Sequence, residues 1–235
     1  MPKKKAMSSE KASQVKNDGH KNEDDFSILV GGKKITGTGK TDCILNDKHY
    51  SLKQICKRIQ FGLYNINSEY WKREEIIHKA CLECLNIFPS TFKEYTIDKH
   101  NIKLKLGEQM LNLKILLENK ENLKQLMNFF IRNYEIDYIG FEFKTHHKIY
   151  DAITFINYLS ENLIIENSKK RRNGEYDNQK VILKASINGK KSVNIIELEI
   201  RNSGENHYRE FLCVCNRNKL INLISNLPID HMVDK

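Results

Sequence analysis

Asp42, Ser51 and Lys53 lie in the stretch GTGKTDCILNDKHYSLK, residues 37–53, in an order that suits hydrolysis of a phosphodiester. A carboxylate at 42 offers an oxygen ligand to Mg²⁺, an ion that orients water and neutralises phosphate charge. A lysine at 53 can hold or help activate the attacking water, and can answer charge growing on the phosphate. On a strand, Ser51 and Lys53 share a face while Leu52 points into the core. One carboxylate seldom makes a strong Mg²⁺ site. A second oxygen ligand is expected from Glu23, on the preceding element, or alternatively from Glu69 farther along.

The stretch also contains Gly39-Lys40-Thr41, the end of a phosphate-cradling loop. That motif puts its first glycine at position 34, which is Lys34, and needs a helix where DCIL follows. Without a helix terminus, no aligned N–H groups stand behind a phosphate. The nucleotide-binding reading is set aside.

The elements that must position the three residues are legible in outline. KTDCIL reads as a strand, NDKH as a turn and YSLK as the returning strand; Asn46 and Asp47 tolerate left-handed backbone. Before them, GHKNEDDFSILVGG offers a short amphipathic element holding Phe26, Ile28 and Leu29, and residues 1–19 form a mobile basic tail. After them, Ile55, Ile59, Leu63 and Ile66 fall on one helical face. A second helix is expected from Ser68 or Glu69 to Phe88. A third helical period runs through Leu104, Leu111, Ile115, Leu123, Leu126 and Phe130, with a corner near Asn119 and Asn122. IDYIGFEFK reads as a strand or hairpin, Tyr150–Asn162 as a helix, and residues 181–201 as a hairpin around Asn188-Gly189. EFLCVCN and KLINLISNL close the chain as strand and short helix. The expected class is α/β or α+β, a central mixed sheet flanked by helices. Residues 20–235 form a single domain with a helical subregion at 68–133.

Asp42, a short hairpin and Ser51-Leu52-Lys53 together resemble the PD-(D/E)XK nuclease superfamily, particularly type II restriction endonucleases. The run Gly39-Lys40-Thr41-Asp42 is similar to the one before the catalytic aspartate in enzymes that cut short palindromes. DGHKNEDDF resembles their early helix, whose glutamate corresponds to Glu23. Gln60 and Tyr64 in QFGLY resemble a Q-x-x-x-Y feature on the helix after the lysine, as supporting residues. Thr41 stands where proline is usual, and Ser51 where an acid is usual; in S-x-K relatives a glutamate comes from a nearby helix, which is the case for Glu69. The likeness covers roughly residues 18–70. It implies a restriction-endonuclease-like core and a Mg²⁺-dependent endonuclease cutting double-stranded DNA at a short palindrome. It also implies a homodimer acting beside a cognate DNA methyltransferase. The alternative is a noncatalytic DNA- or RNA-binding protein, selective for sequence or structure.

The charge fits either reading. The 235 residues hold 39 Lys and Arg against 30 Asp and Glu, a formal +9, which favours a polyanion such as nucleic acid over a membrane. Candidate DNA contacts are Lys40; Lys169, Lys170, Arg171 and Arg172 in SKKRRNGE; and Lys190, Lys191, Arg201, His207 and Arg209 near the C-terminus. Cysteines at 43, 56, 81, 84, 213 and 215 form no secreted disulfide framework, and no signal-like apolar run is present, so the cytoplasm is expected. Three rival clusters remain. Asp137, Glu142 and Lys144 leave little room for two strands and a turn. Glu197 and Glu199 with Asp177 first read as a half-buried strand face. His78, Cys81 and Cys84 lack a fourth zinc ligand.

Overall fold

A computed structural model describes residues 9–37, 39–170, 174–187 and 189–235. The fold is mixed α and β, as expected, with one sheet of six strands and one of five. Within the span read as one domain, backbone packing defines two compact units, each assembled from separated segments. The first takes the chain up to Ile55, Tyr134–Ile153 and Pro228–Lys235; the second takes Cys56–Asn133 and Thr154–Leu227.

The first unit opens with α1 (Ser9–Val30), which begins inside the stretch read as a tail. Of its expected apolar trio only Phe26 is buried; Ile28 and Leu29 are 78% and 46% exposed. β1 (Lys33–Lys34), β2 (Cys43–Leu45) and β3 (Lys48–Lys53) form an antiparallel meander. Asn46 and Asp47 close β2 to β3 as a two-residue turn, at φ 50° and 59°, the left-handed pair that matches strand twist. The next strand, β4 (Arg58–Asn65), belongs to the second unit. The chain returns as β5 (Tyr138–Glu142), parallel to β3, so that Ser51 lies beside Ile139 and Lys53 beside Phe141. β6 (His146–Asp151) pairs with β5 and then with a terminal strand at His231–Asp234. Phe26, Cys43, Tyr50, Leu52 and Ile149 form the core on one face of this sheet. Gly140 is there because a Cβ would stand 2.6 Å from Leu52 Cδ2 and 2.9 Å from Ile149 Cδ1.

The second unit corrects two helical expectations. β4 is a strand, although its apolar residues recur at helical spacing. A bulge in its pairing with β10 sets Ile59 across from Cys215 and Leu63 across from Leu212, on opposite faces, so the apolar spacing follows neither a plain strand nor a helix, and the partner strand decides. The long helix expected from Glu69 is a 3₁₀ turn, Glu69–Lys72, followed by extended backbone at Arg73 and Glu75 and then α2 (Ile76–Asn86). α3 (Phe92–Ile97) is opened by a capping box between Thr91 and Glu94. α4 (Lys99–Leu117) buries Ile102, Leu106, Met110, Leu113 and Leu117, whereas the expected Leu104, Leu111 and Ile115 are exposed. Two apolar stripes overlap in that helix, and packing chose the other one. The corner at Asn119 is present: its side chain accepts from Glu121 N and Asn122 N and starts α5 (Lys120–Met127), followed by a π-helical turn over Asn128–Arg132.

α6 (Ala152–Asn162) leads into β7 (Ile164–Asn167), β8 (Lys180–Ala185), β9 (Val193–Asn202) and β10 (Tyr208–Asn216). With β4 these make an antiparallel sheet in the order β4-β10-β9-β8-β7. The β8–β9 hairpin is joined by residues 186–192 rather than by two turn residues, and Asn188 lies outside the described residues. α7 (Arg217–Leu223) and β11, the His231–Asp234 strand, end the chain. None of the six cysteines is in a disulfide. No helix among the described residues is long and apolar enough to cross a membrane.

Candidate active site

The first unit gathers Asp42, Ser51 and Lys53 into one hydrogen-bonded chain. Antiparallel pairing of Cys43 with Tyr50 sets Asp42 opposite Ser51, on the sheet face away from Leu52 and Phe26. Lys53 Nζ donates to Ser51 Oγ at 2.7 Å, and Ser51 Oγ donates to Asp42 Oδ2 at 3.3 Å. The same carboxylate oxygen accepts Leu52 N at 2.6 Å, so the backbone of β3 fixes the carboxylate. Ser51 is 2% exposed, which leaves its hydroxyl little freedom to turn elsewhere. Asp42 Oδ1 has no hydrogen-bond donor, and Lys53 no carboxylate partner, among the described residues. The arrangement therefore presents one open carboxylate oxygen and one ammonium whose charge is not discharged by an acid.

Thr41, at the position where the resembling enzymes carry proline, holds the approach to this chain: its hydroxyl bonds the ring of His49 at 2.9 Å. Lys40 is half-buried immediately before it. Beyond Lys53, Ile55 N donates to Glu142 Oε2 at 2.8 Å, tying the end of β3 to β5. Burial pushes the Glu142 carboxyl up, but the Lys235 bond, the Ile55 N–H and the His147 charge together carry it below its ordinary value.

The acids named as second ligands are less closely placed. Glu23 sits half-buried on α1, and neither Asp42 nor Lys53 counts it among its partners. One turn later Ser27 bonds back to the Glu23 carbonyl at 2.8 Å and also reaches the Cys43 thiol, next to Asp42. Glu69 belongs to the second unit, in an exposed ion pair with Lys72. No three His, Cys, Asp or Glu side chains among the described residues converge tightly enough to hold a metal by themselves.

Gln60 and Tyr64 are on β4, not on a helix, and the second unit holds both. Gln60 is exposed; Tyr64 is buried among Phe129, Phe130 and Trp71. Trp71 donates from Nε1 to Asn65 O at 2.7 Å and serves packing. The rival clusters dissolve into structural roles. Asp137 accepts His49 N at 2.9 Å and meets Lys48 at 3.5 Å, holding β3 to its parallel neighbour. Lys180 stands between Glu197, at 3.0 Å, and Glu199, while Asp177 closes its own loop by accepting Lys170 N at 2.6 Å. His78, Cys81 and Cys84 are buried, and burial pushes both thiols up.

The proposed DNA contacts are dispersed. Lys169, Lys170, Lys190 and Lys191 are exposed in connections, and Arg171 and Arg172 lie outside the described residues. Arg201 and His207 both meet Glu210, at 3.3 and 3.4 Å, and Arg209 sits at the β10 bulge with φ 55°. Adjacent side chains diverge on a strand, so the sequence gives His146 and His147 no joint chemistry, and only the structure shows the surroundings of His147. Its ring is buried against Phe26, both ring nitrogens lack a hydrogen-bond partner among the described residues, and it borders a cavity of about 540 Å³ with Lys21, Asp25, Glu142 and Lys235. No local pattern marks it, because the alternation of β6 puts an inward side chain at that position whatever its type. No protein-family model, curated protein or solved structure matches the chain.

Proposed function

We propose that this protein is a nuclease that hydrolyses phosphodiester bonds in double-stranded DNA at Asp42, Ser51 and Lys53. The observation that carries the reading is the chain from Lys53 Nζ through Ser51 Oγ to Asp42 Oδ2, which leaves, among the described residues, the outer carboxylate oxygen without a donor and the ammonium without a carboxylate partner. A hard carboxylate oxygen fits Mg²⁺, an ion held by one or two carboxylates plus substrate phosphate oxygens. Asp42 would hold it, with Glu23, the acid that the resemblance of the early helix points to, as the second ligand. Bound there, Mg²⁺ supplies charge neutralisation and an acidified water.

The chain's own residues do the rest. Leu52 N and Ser51 hold the Asp42 carboxylate still, so no reorganisation is needed when substrate arrives. Ser51 takes the place of an acidic neighbour for Lys53. A neutral hydroxyl positions the ammonium without cancelling it, and the full charge remains for a phosphate oxygen or for orienting the attacking water. The basic excess of +9 favours the polyanionic substrate. A type II restriction activity on short palindromes would require a two-fold dimer with one site for each strand, and a cognate methyltransferase protecting the host. Six cysteines outside any disulfide suit a cytoplasmic setting.

The test is incubation of purified protein with mixed duplex DNA and Mg²⁺, followed by sequencing of the fragment ends, for wild type, Asp42→Ala and Lys53→Ala. Discrete ends that vanish in both folded variants support the reading. Tight, salt-sensitive binding with no cutting by wild type would replace it with the noncatalytic DNA- or RNA-binding alternative.

A further inference from the structure

The five-stranded sheet is two-sided. Val181, Leu183, Ile196, Leu198 and Cys213 are buried. In register on the other face, Gln60 pairs with Val214, which pairs with Glu197; Arg58 pairs with Asn216; and Glu199 pairs with Lys180. A cavity of about 280 Å³ opens on this polar face, lined by Arg58, Lys180, Asn194, Glu197, Asn216 and Lys219 among others.

The charges around it are ordered. Glu197 accepts Lys180 at 3.0 Å and meets Arg58 at 3.5 Å, so one carboxylate aligns two cationic heads, and Lys180 also meets Glu199. Of the lining residues, Arg58, Lys180 and Lys219 face the single acid Glu197, a surplus of two, while Glu199 beside Lys180 is itself faced by Lys103. Lys219 has no carboxylate partner among the described residues. The amides add directed donors. Asn216 spends its oxygen on Lys219 N at 3.2 Å, leaving its NH₂ without a described partner, and the side chains of Asn194 and Gln60 make no described hydrogen bond. A site with a net positive charge, a guanidinium and amide NH₂ groups suits a backbone phosphodiester in charge and donor geometry. Neighbouring amides and a carboxylate are the groups that read base edges.

Resting on the nuclease reading above, we infer that this polar sheet face is the docking surface for duplex DNA: Arg58, Lys180 and Lys219 seat a backbone phosphate, and Gln60, Asn194 and Glu197 face base edges. Gln60 thereby belongs to substrate recognition rather than to the support of Lys53.

Binding is measured without any divalent cation, so that it is independent of cutting, by titrating wild-type protein with a labelled duplex library across a salt series. Arg58→Ala and Lys219→Ala are each expected to weaken binding roughly tenfold near 0.1 M salt and to flatten the slope of log affinity against log salt by about 0.9. Gln60→Ala and Asn194→Ala should keep the slope and broaden the sequences recovered from the bound fraction. Arg58 and Gln60 are exposed, which protects these variants from unfolding, and Lys219→Gln with Lys219→Glu provides a graded second series. Wild-type binding with unchanged slopes in the charge variants overturns the assignment, as does absence of duplex binding, preference for RNA, or full competition by inorganic phosphate. Catalytic failure is separate: loss of Mg²⁺-dependent cutting with intact, face-dependent binding would sink the Asp42 chemistry and leave this surface standing.

Discussion

Lys53 reaches Ser51 at 2.7 Å and meets no acid among the described residues, so the serine at the middle position acts as a neutral spacer between lysine and aspartate. Ser51→Ala should free both ends. Cutting is expected to fall by on the order of 10- to 100-fold, and stability by about 1 kcal/mol, because Lys53 and Asp42 keep access to water. Single-turnover cleavage and a urea titration of the same preparation separate the two effects.

Asp42→Asn retains an oxygen for Leu52 N while removing the charge. The fold should therefore survive with a loss of no more than about 1 kcal/mol. Hydrolysis should drop by on the order of 1,000-fold or more. Retention of wild-type cutting by this variant would remove Asp42 from the chemistry.

Asp137 distinguishes a structural acid from the proposed site. It accepts His49 N at 2.9 Å and donates its own N–H to His49 O at 2.9 Å, a reciprocal clamp across the parallel pair. Asp137→Ala is expected to cost about 1–2 kcal/mol, read as a lower urea midpoint, with cleavage per folded molecule unchanged.

Gly140→Ala tests the backing of the site. The new methyl would press on Leu52 Cδ2 at 2.6 Å and Ile149 Cδ1 at 2.9 Å, inside a filled core. Overpacking of this kind costs about 1–3 kcal/mol, and because Leu52 N holds Asp42, cutting should weaken as well.

Acid should destabilise the fold through two histidines. Burial lowers His147 below its ordinary 6.5, with Lys235 acting in the same direction; burial also lowers His78, although Glu75 at 3.2 Å opposes the shift. A depressed folded pKa means the unfolded chain takes up the proton first, so the stability is fully present above 6.5 and is lost as pH falls toward the folded value. Melting temperature measured from pH 8 to pH 5 should decline below about 6.5, and His147→Phe should shallow that decline by removing one of the two protons.

The β2–β3 hairpin is written in local chemistry. Alternation, a left-handed Asn46-Asp47 turn and an Asp42-to-Lys53 spacing are local quantities, and together they forced Ser51 and Lys53 onto one face. The break at Asn119 belongs with it, where a side-chain cap is a local bond. Apolar periodicity misread β4 because the bulge against β10 breaks the strand alternation and leaves a helix-like apolar spacing, and it chose the wrong stripe of α4 because two apolar stripes were present. Long-range packing set the rest: the parallel seating of β5 beside β3, the exposure of Ile28 and Leu29, the burial of His147, and the rows that put Arg58 and Gln60 on one sheet face with Glu197. Those outcomes depend on pairings between residues far apart in the chain, and long-range register is set by what each face must bury, which no short window of sequence contains.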